Sequence, residues 1–137
     1  MTLQVQVVSP ERILWTGDAQ MVTARTIDGG EIAFMTGHAP FVGALDIARV
    51  AIRSEEGADQ LVAVHGGFVE VSHDRVTILS DVAELPEQID VTRARASLEQ
   101  AEGALRADAD SDEAAAAFKR AQVRLEVAGQ TSTAASH

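Results

Sequence analysis

The sequence predicts a mainly β fold with an α-helical appendage, in which an N-terminal antiparallel β-sandwich precedes an antiparallel hairpin of two helices. Two periodicities lead to this prediction. Apolar residues recur at every second position until about residue 85, as on strands with one buried face. After Pro86 they recur at spacings of three and four, as on a helix that buries one stripe. We therefore expect a β-sandwich domain over residues 1–86 and a helical hairpin over residues 87–137, with a flexible tail from about residue 130.

Many short runs in the first part of the chain are typical of β-strands. In the first run, Leu3, Val5 and Val7 alternate with glutamines. The runs that follow are Arg12–Thr16, Met21–Ile27, Glu31–Met35, Arg49–Arg53, Leu61–His65, Phe68–Ser72 and Val76–Leu79. Turn signals such as Asp28-Gly29-Gly30 separate several of them. Short strands with frequent turns predict an antiparallel sandwich or barrel.

The second part of the chain carries two apolar stripes, each of which contains several alanines. The first stripe is Val91, Ala94, Leu98, Ala101 and Leu105, and the second is Ala114, Phe118, Ala121, Leu125 and Ala128. Replacing leucine with alanine at a core position loses about 2–5 kcal/mol, so an alanine seam between two helices is weak. We expect the hairpin to need a second surface and to be able to leave it.

The composition excludes several classes of function. Eleven basic and twenty-one acidic residues give a net charge of −10, which repels nucleic acid and anionic lipid. Absence of cysteine excludes disulfides and thiolate metal sites, and we expect no metal. The longest stretch without a charged side chain, residues 32–45, is too short to span a bilayer. Membrane association is therefore expected only through a partner.

The motif GHAPFVGAL, residues 37–45, places His38 in a short loop that contains glycine and proline. No cysteine or second histidine lies within ten residues of His38, so no catalytic partner is visible for it. Two interpretations stay open: the loop displays His38 to a partner, or His38 is solvated or hydrogen-bonded locally. His65, at the end of an apolar run, and His73, in a turn, are interpreted as structural.

Two arginines of the second predicted helix are the other notable group. Arg120 and Arg124 are four positions apart and so project from one helical face. Neither has an acidic residue three or four positions away. Their charge must be compensated by Glu99 or Glu102 of the facing helix, by an acidic partner surface or by a bound phosphate. No Walker-type glycine loop is present, so a hydrolytic nucleotide site is not expected.

Three features in one order carry a resemblance to a known family. They are Gly30-Glu31-Ile32 leading to Gly37-His38-Ala39-Pro40, the segment HGGFVEVSHDRVTILSDVAE from His65 to Glu84, and the helical hairpin. Together they resemble the epsilon subunit of bacterial F-type ATP synthases, collinearly over nearly the whole chain. The resemblance implies a sandwich of about ten strands followed by two helices.

The resemblance also implies a function. Such subunits are non-catalytic parts of the central stalk, or rotor, of a proton-translocating ATP synthase, in which the beta subunits carry out catalysis. They couple the gamma subunit to the c ring, and their hairpin inhibits ATP hydrolysis when it extends toward the alpha and beta subunits. The implied location is peripheral, at the cytoplasmic face of the bacterial plasma membrane. No cofactor is required.

Two groups of site residues follow from the resemblance. Glu31, Gly37, His38 and Pro40 would face the c ring and gamma. The segment Ile89–Ala94 matches the I/L-D-x-x-R-A motif of epsilon subunits that bind ATP, and KRAQVRL resembles their second-helix segment. The implied regulatory ATP site consists of Ile89, Asp90 and Ala94 around the base and sugar, with Arg93, Arg120 and Arg124 at the phosphates.

Other interpretations of the same residues stay open. Asp90 is also suited to cap the first helix, with Arg93 pairing back to it, and the two arginines of the second helix are suited to acidic residues of the beta subunit. A free-standing ATP-sensing module is the alternative function. A small enzyme that uses His38, His65 or His73 is the remaining alternative, and it lacks visible partner residues.

Overall fold

The computed structural model describes residues 2–129 of the chain, so the tail expected from about residue 130 lies outside the described residues. The chain divides between Ala83 and Glu84 into two compact units. The first unit consists of strands and the second contains two helices. The predicted order of a β part followed by a helical hairpin is confirmed.

Eight strands are present in the described part of the chain. They are β1 Leu3–Val8, β2 Ile13–Ala19, β3 Met21–Thr26, β4 Gly30–Phe34, β5 Phe41–Arg53, β6 Asp59–Ser72, β7 Arg75–Leu79 and β8 Ala83–Glu84. Seven of them follow one another in the order β2-β1-β7-β6-β5-β3-β4. The β1–β7 pair is parallel and its neighbours pair antiparallel. Alternation of apolar residues cannot indicate this parallel pair, because it does not specify a strand's direction.

The two longest strands, β5 and β6, account for the difference between eight strands and the expected ten or so. The first half of β5 pairs with the second half of β6, which also pairs with β7. The second half of β5 pairs with β3. Each long strand therefore has different neighbours along its two halves and is counted once. Gly66 and Gly67, with φ of 86° and 121°, let β6 continue where the sequence predicted a break.

The core of the sandwich unit consists of the inward residues of these strands. Leu3, Val5 and Val7 are at most 1% exposed, as their alternation predicts. The other large side chains with almost no exposure are Phe34, Ile52, Ile78, Val22, Val50, Val62, Val64, Val69 and Val71. Burying each such side chain contributes about 1.5–3 kcal/mol. Most of these residues are valine or isoleucine, whose β-branched side chains suit a pleated sheet.

The hairpin unit begins with a 3-10 turn, Pro86–Gln88, followed by α1 Val91–Ala107 and α2 Asp112–Val127. Ser111 caps α2, since its Oγ accepts a hydrogen bond from the Ala114 N–H at 3.1 Å. Alanines of both predicted stripes are buried, namely Ala94, Ala101, Ala114 and Ala121. The small-residue seam predicted from the sequence is therefore present in the folded hairpin. In α2, however, Val123 and Val127 are also buried, whereas Phe118 and Ala128 of the predicted stripe are only partly buried.

Candidate functional site

A cavity of about 350 Å³ lies within the hairpin unit. It is lined by Glu84, Gln88, Asp90, Arg93, Ala94, Ser97 and Arg124. Four of the six residues assigned to the ATP site thus come together around one space. The other two, Ile89 and Arg120, are not among its lining residues, and Ile89 is buried at 9% exposure.

Asp90 is the N-cap of α1. Its Oδ1 accepts a hydrogen bond from the backbone N–H of Arg93 at 3.1 Å, which satisfies one of the free amides of the first turn. The bond therefore goes to the backbone of Arg93 and not to its guanidinium. The Arg93 side chain is exposed at the cavity wall, where it remains available to an anion.

Arg124 has a partner in the same cavity. Its Nε donates to Oε1 of Glu84 at 2.7 Å, and the two side chains are 28% and 23% exposed. The sequence offered Glu99 and Glu102 of the facing helix as candidate partners, and the observed partner is neither of them. Glu84 precedes the hairpin and belongs to β8, so the spacing of residues along α1 and α2 does not indicate it. Its place two residues before Pro86, at the root of the hairpin, is the signal that could have pointed to it.

The charges around the cavity are balanced. Glu84 and Asp90 contribute two carboxylates, and Arg93 and Arg124 contribute two guanidinium groups. Arg120 lies one turn before Arg124 on α2 and is partly buried. Its guanidinium makes no hydrogen bond or ion pair with the residues between 2 and 129. An anionic ligand that contacts Arg120 would therefore compensate a charge that these residues leave uncompensated.

The loop of residues 35–40, which we call the docking loop, connects β4 to β5 in the sandwich unit. Gly37 has φ of 83°, a conformation that favours glycine. The His38 ring packs edge-on against Phe34 at 5.0 Å and approaches Phe41 at 6.4 Å, and its Nδ1 lies 2.7 Å from the carbonyl oxygen of Ala39. His38 is thus partly buried and held in place, while Gly37 and Pro40 are exposed.

Glu31 is not part of this loop. It is the second residue of β4, whereas the docking loop follows the last residue of that strand. Its carboxylate lies 3.9 Å from Arg25 with both side chains about half exposed, so the pair contributes little to stability. The structure brings Gly37, His38 and Pro40 together and leaves Glu31 apart from them along β4.

A row of apolar side chains crosses the outward face of the sandwich unit, and we call it the outward apolar row. Register pairs and one backbone hydrogen bond connect Ile27, Ala44, Phe68, Leu79, Val8 and Ile13 in that order. The side chains of Ile27, Phe68, Leu79 and Ile13 are 63%, 55%, 44% and 56% exposed. Local sequence patterns alone do not indicate this row. Along β6, Phe68 precedes the buried Val69 and alternates with it and with Val71, so its side chain faces outward. An aromatic residue at such an outward position is the signal that could have revealed the row.

The other histidines and the described acidic residues offer no metal centre. His73 lies in the β6–β7 turn with φ of 51°, and His65 lies within β6. No group of three or more histidine, cysteine, aspartate or glutamate side chains that could hold a metal ion occurs between residues 2 and 129. Within the same residues, no helix is long and apolar enough to cross a membrane.

Comparison with known proteins identifies the family. The model described as "ATP synthase, Delta/Epsilon chain, beta-sandwich domain" matches residues 2–86, and "ATP synthase, Delta/Epsilon chain, long alpha-helix domain" matches residues 87–129. The chain belongs to the ATP synthase delta/epsilon family. Delta/epsilon family chains are subunits of ATP synthase and not the catalytic ones, so the enzyme interpretation based on the histidines is set aside.

Individual delta/epsilon relatives cover most of the chain. A protein named ATP synthase epsilon chain from Streptomyces griseus is 44% identical over 123 residues, which are 90% of this chain and 92% of the relative. The protein of the same name from Halalkalibacterium halodurans is 43% identical over 133 residues, covering 94% and 98%. The one from Brevibacillus brevis is 49% identical over 100 residues, covering 73% and 75%.

Solved structures share the delta/epsilon fold. A chain of the Euglena gracilis mitochondrial ATP synthase OSCP/F1/c-ring structure superposes with a TM-score of 0.69 at 20% identity, covering 98% of this chain and 81% of that one. A chain of the Tetrahymena thermophila mitochondrial ATP synthase central stalk and c-ring structure gives a TM-score of 0.58 at 12% identity, with 93% and 97% covered. At these identities the likeness concerns the fold.

Proposed function

We propose that this chain is a non-catalytic rotor subunit that couples gamma to the c ring of a bacterial proton-translocating ATP synthase. Its hairpin restrains ATP hydrolysis when it extends toward the alpha and beta subunits. The chain reaches the membrane only through its partners, as a peripheral subunit at the cytoplasmic face of the plasma membrane. Family membership and two exposed surfaces of the sandwich unit support this proposal.

The outward apolar row is the observation that carries the proposal. Four of its side chains are between 44% and 63% exposed, and the row is contiguous across β5, β6, β7, β1 and β2. Exposed apolar patches on soluble proteins usually mark sites of association. Covering such a patch contributes about 25 cal/mol per Å² of apolar area removed from water. We assign this row to gamma.

The docking loop supports the second coupling contact, with the c ring. Met35 at its start and Val42 just beyond its end are 54% and 68% exposed, and Pro40 is exposed between them. The fixed His38 ring adds a polar group to this apolar tip. A rigid tip with mixed apolar and polar groups is suited to dock on a protein surface. Glu31, at the far end of β4, would contact the same partner separately.

Replacement of Phe68 tests the assignment of the apolar row. Because Phe68 is 55% exposed, Phe68→Ser should leave the fold intact, which circular dichroism would verify. We expect it to weaken binding to purified gamma by roughly tenfold or more, as for a central aromatic contact. Glu70→Ser, two positions along the same exposed face, is the matched control and should change binding by no more than about twofold. Equal binding by the two variants would contradict the assignment.

The cavity of the hairpin supports a regulatory role for ATP. Its volume of about 350 Å³ is within the range of small-molecule sites, and Arg93 and Arg124 in its wall are suited to phosphates. ATP that binds only the compact hairpin would stabilise it by about 2.7 kcal/mol at a hundred times Kd. A weak alanine seam makes the hairpin an element that such a ligand could bias.

The alternative, a free-standing ATP-sensing module, uses the same cavity without any partner. Co-purification distinguishes the two functions. A rotor subunit carrying an affinity tag should bring down gamma and the c ring, whereas a free-standing module should be recovered alone. Recovery alone from membranes that contain intact ATP synthase would contradict the rotor proposal and favour the module.

A further inference from the structure

A hydrogen bond links the docking loop to a distant turn of the sandwich unit. The backbone N–H of Gly37 donates to Oδ1 of Asp74 at 2.8 Å, 37 positions away in the sequence. Asp74 lies in the two-residue turn between β6 and β7, because Ser72 and Arg75 are the last pair of that hairpin. The loop is thus held by a residue that belongs to neither of the strands it connects.

The turn that carries Asp74 has a sequence that its geometry does not favour. His73 and Asp74 have φ of 51° and 60°, and a two-residue hairpin loop with both residues left-handed prefers Asn-Gly or Gly-Gly. Backbone strain of this kind is retained where a side chain is needed at that place. Glycine at position 74 would suit the turn better but would supply no carboxylate.

The main chain of the turn is itself fixed. The carbonyl oxygen of Asp74 accepts a hydrogen bond from the N–H of Gln4 at 2.9 Å, and the adjacent strands β1 and β7 pair in parallel from Gln4 and Arg75 onward. The Asp74 carboxylate therefore projects from a support that is tied to the sheet on both sides. Such a support can hold a flexible glycine in one conformation.

We propose that Asp74 is a positioning residue for partner docking: its carboxylate holds the docking loop in the shape that the partner recognises. This inference rests on the proposed docking function of the loop. Ordering a loop at the moment of binding costs conformational entropy, so a loop ordered beforehand binds more tightly. The His73–Asp74 turn is then part of the docking apparatus although neither of its residues needs to contact the partner.

Two substitutions at position 74 distinguish the effect of the carboxylate oxygen from the effect of the shape of the turn. Asp74→Asn keeps an Oδ1 acceptor and tolerates a left-handed backbone. Asp74→Gly removes the acceptor while giving the turn the residue it prefers. Because relief of backbone strain should offset the lost hydrogen bond, its melting temperature should be close to that of Asp74→Asn. A clearly lower melting temperature for Asp74→Gly would overturn the argument from strain.

The first readout is hydrogen exchange of the Gly37 amide, measured by NMR on the full chain. Asp74→Gly should exchange roughly tenfold faster than wild type, as for loss of one hydrogen bond to a charged acceptor, and Asp74→Asn much less so. The second readout is rebinding to membrane vesicles that contain ATP synthase stripped of this subunit. There the Kd of Asp74→Gly should rise by roughly tenfold, with Asp74→Asn within about twofold of wild type.

Either unchanged Gly37 exchange or unchanged rebinding of Asp74→Gly overturns the inference. His38→Ala, in the loop itself, distinguishes this failure from a failure of the proposed function. If His38→Ala rebinds weakly while Asp74→Gly rebinds normally, the loop docks and Asp74 does not position it. If both variants rebind normally, the docking function of the loop is itself wrong.

Discussion

Arg124 and Glu84, 40 positions apart in the sequence, form a hydrogen-bonded ion pair of 2.7 Å at the wall of the hairpin cavity. Both side chains are less than one-third exposed, so solvent screens this pair less than a surface pair. The resemblance to ATP-binding epsilon subunits assigns Arg124 to the phosphates of a nucleotide. A phosphate that enters the cavity must therefore share Arg124 with Glu84 or displace it.

A double-mutant cycle should detect the coupling of this pair. We expect Glu84→Gln and Arg124→Gln, alone and together, to give a coupling energy of about 1 kcal/mol in urea unfolding, as for a partly buried charged hydrogen bond. The control is the Arg53–Asp59 pair, which is longer at 3.1 Å and 46% and 37% exposed. Its coupling should be below about 0.5 kcal/mol. Similar coupling in both cycles would contradict the distinction drawn from exposure.

Titration of the full chain with ATP by calorimetry tests the nucleotide site. Saturable binding is expected in the wild type and should be lost in an Arg120→Ala/Arg124→Ala double variant, because two of the three guanidinium groups assigned to the phosphates are removed. Arg106→Ala is the control, since Arg106 lies in the last turn of α1 and does not line the cavity. Absence of heat at millimolar ATP, with the chain shown to be folded, would contradict ATP sensing by the isolated subunit.

The elements that could be predicted from the sequence are those whose local pattern is also their tertiary pattern. In β1, the alternation of Leu3, Val5 and Val7 predicts which face is buried, and the structure buries that face. The same holds for Ala94 in α1 and Ala121 in α2. Each belongs to an apolar stripe with helical spacing, and each is buried. Each such pattern lies within a few residues of the chain. The period of the side chains then decides which side chains share one face of the strand or helix.

The features that could not be predicted depend on residues far apart in the chain. The Arg124–Glu84 pair and the link between Gly37 and Asp74 join positions 40 and 37 residues apart, so no local spacing signals them. The outward apolar row appears only when strand order and register are known, because its members come from six different segments. Only Phe68 gives a local indication of that row, because alternation along β6 places this aromatic residue on the outward face.

Gly67→Ala should destabilise the sandwich unit strongly. Gly67 has φ of 121°, and an added Cβ would overlap the carbonyl oxygen of Leu79 on the neighbouring strand. We expect a loss of about 2–4 kcal/mol in urea unfolding, from backbone strain together with the steric clash. Gly57→Ala is the control, since Gly57 has φ of 90° and nothing within 4 Å of the added Cβ. Its loss should be about 1 kcal/mol, and an equal loss in the two variants would rule out the clash.

Gly103→Ala should have the opposite effect on stability and raise the free energy of unfolding. Gly103 lies inside α1, and an added Cβ would meet only a guanidinium nitrogen of Arg106 at 3.9 Å, which is ordinary van der Waals contact. Because alanine loses less backbone entropy in a helix, we expect the free energy of unfolding to rise by about 0.5–1 kcal/mol in urea titrations followed by circular dichroism. Gly129→Ala is the control. Gly129 has φ of 85° after the end of α2, so alanine there should lower stability. Destabilisation by Gly103→Ala would contradict the expectation drawn from helix propensity and from the free space at this position.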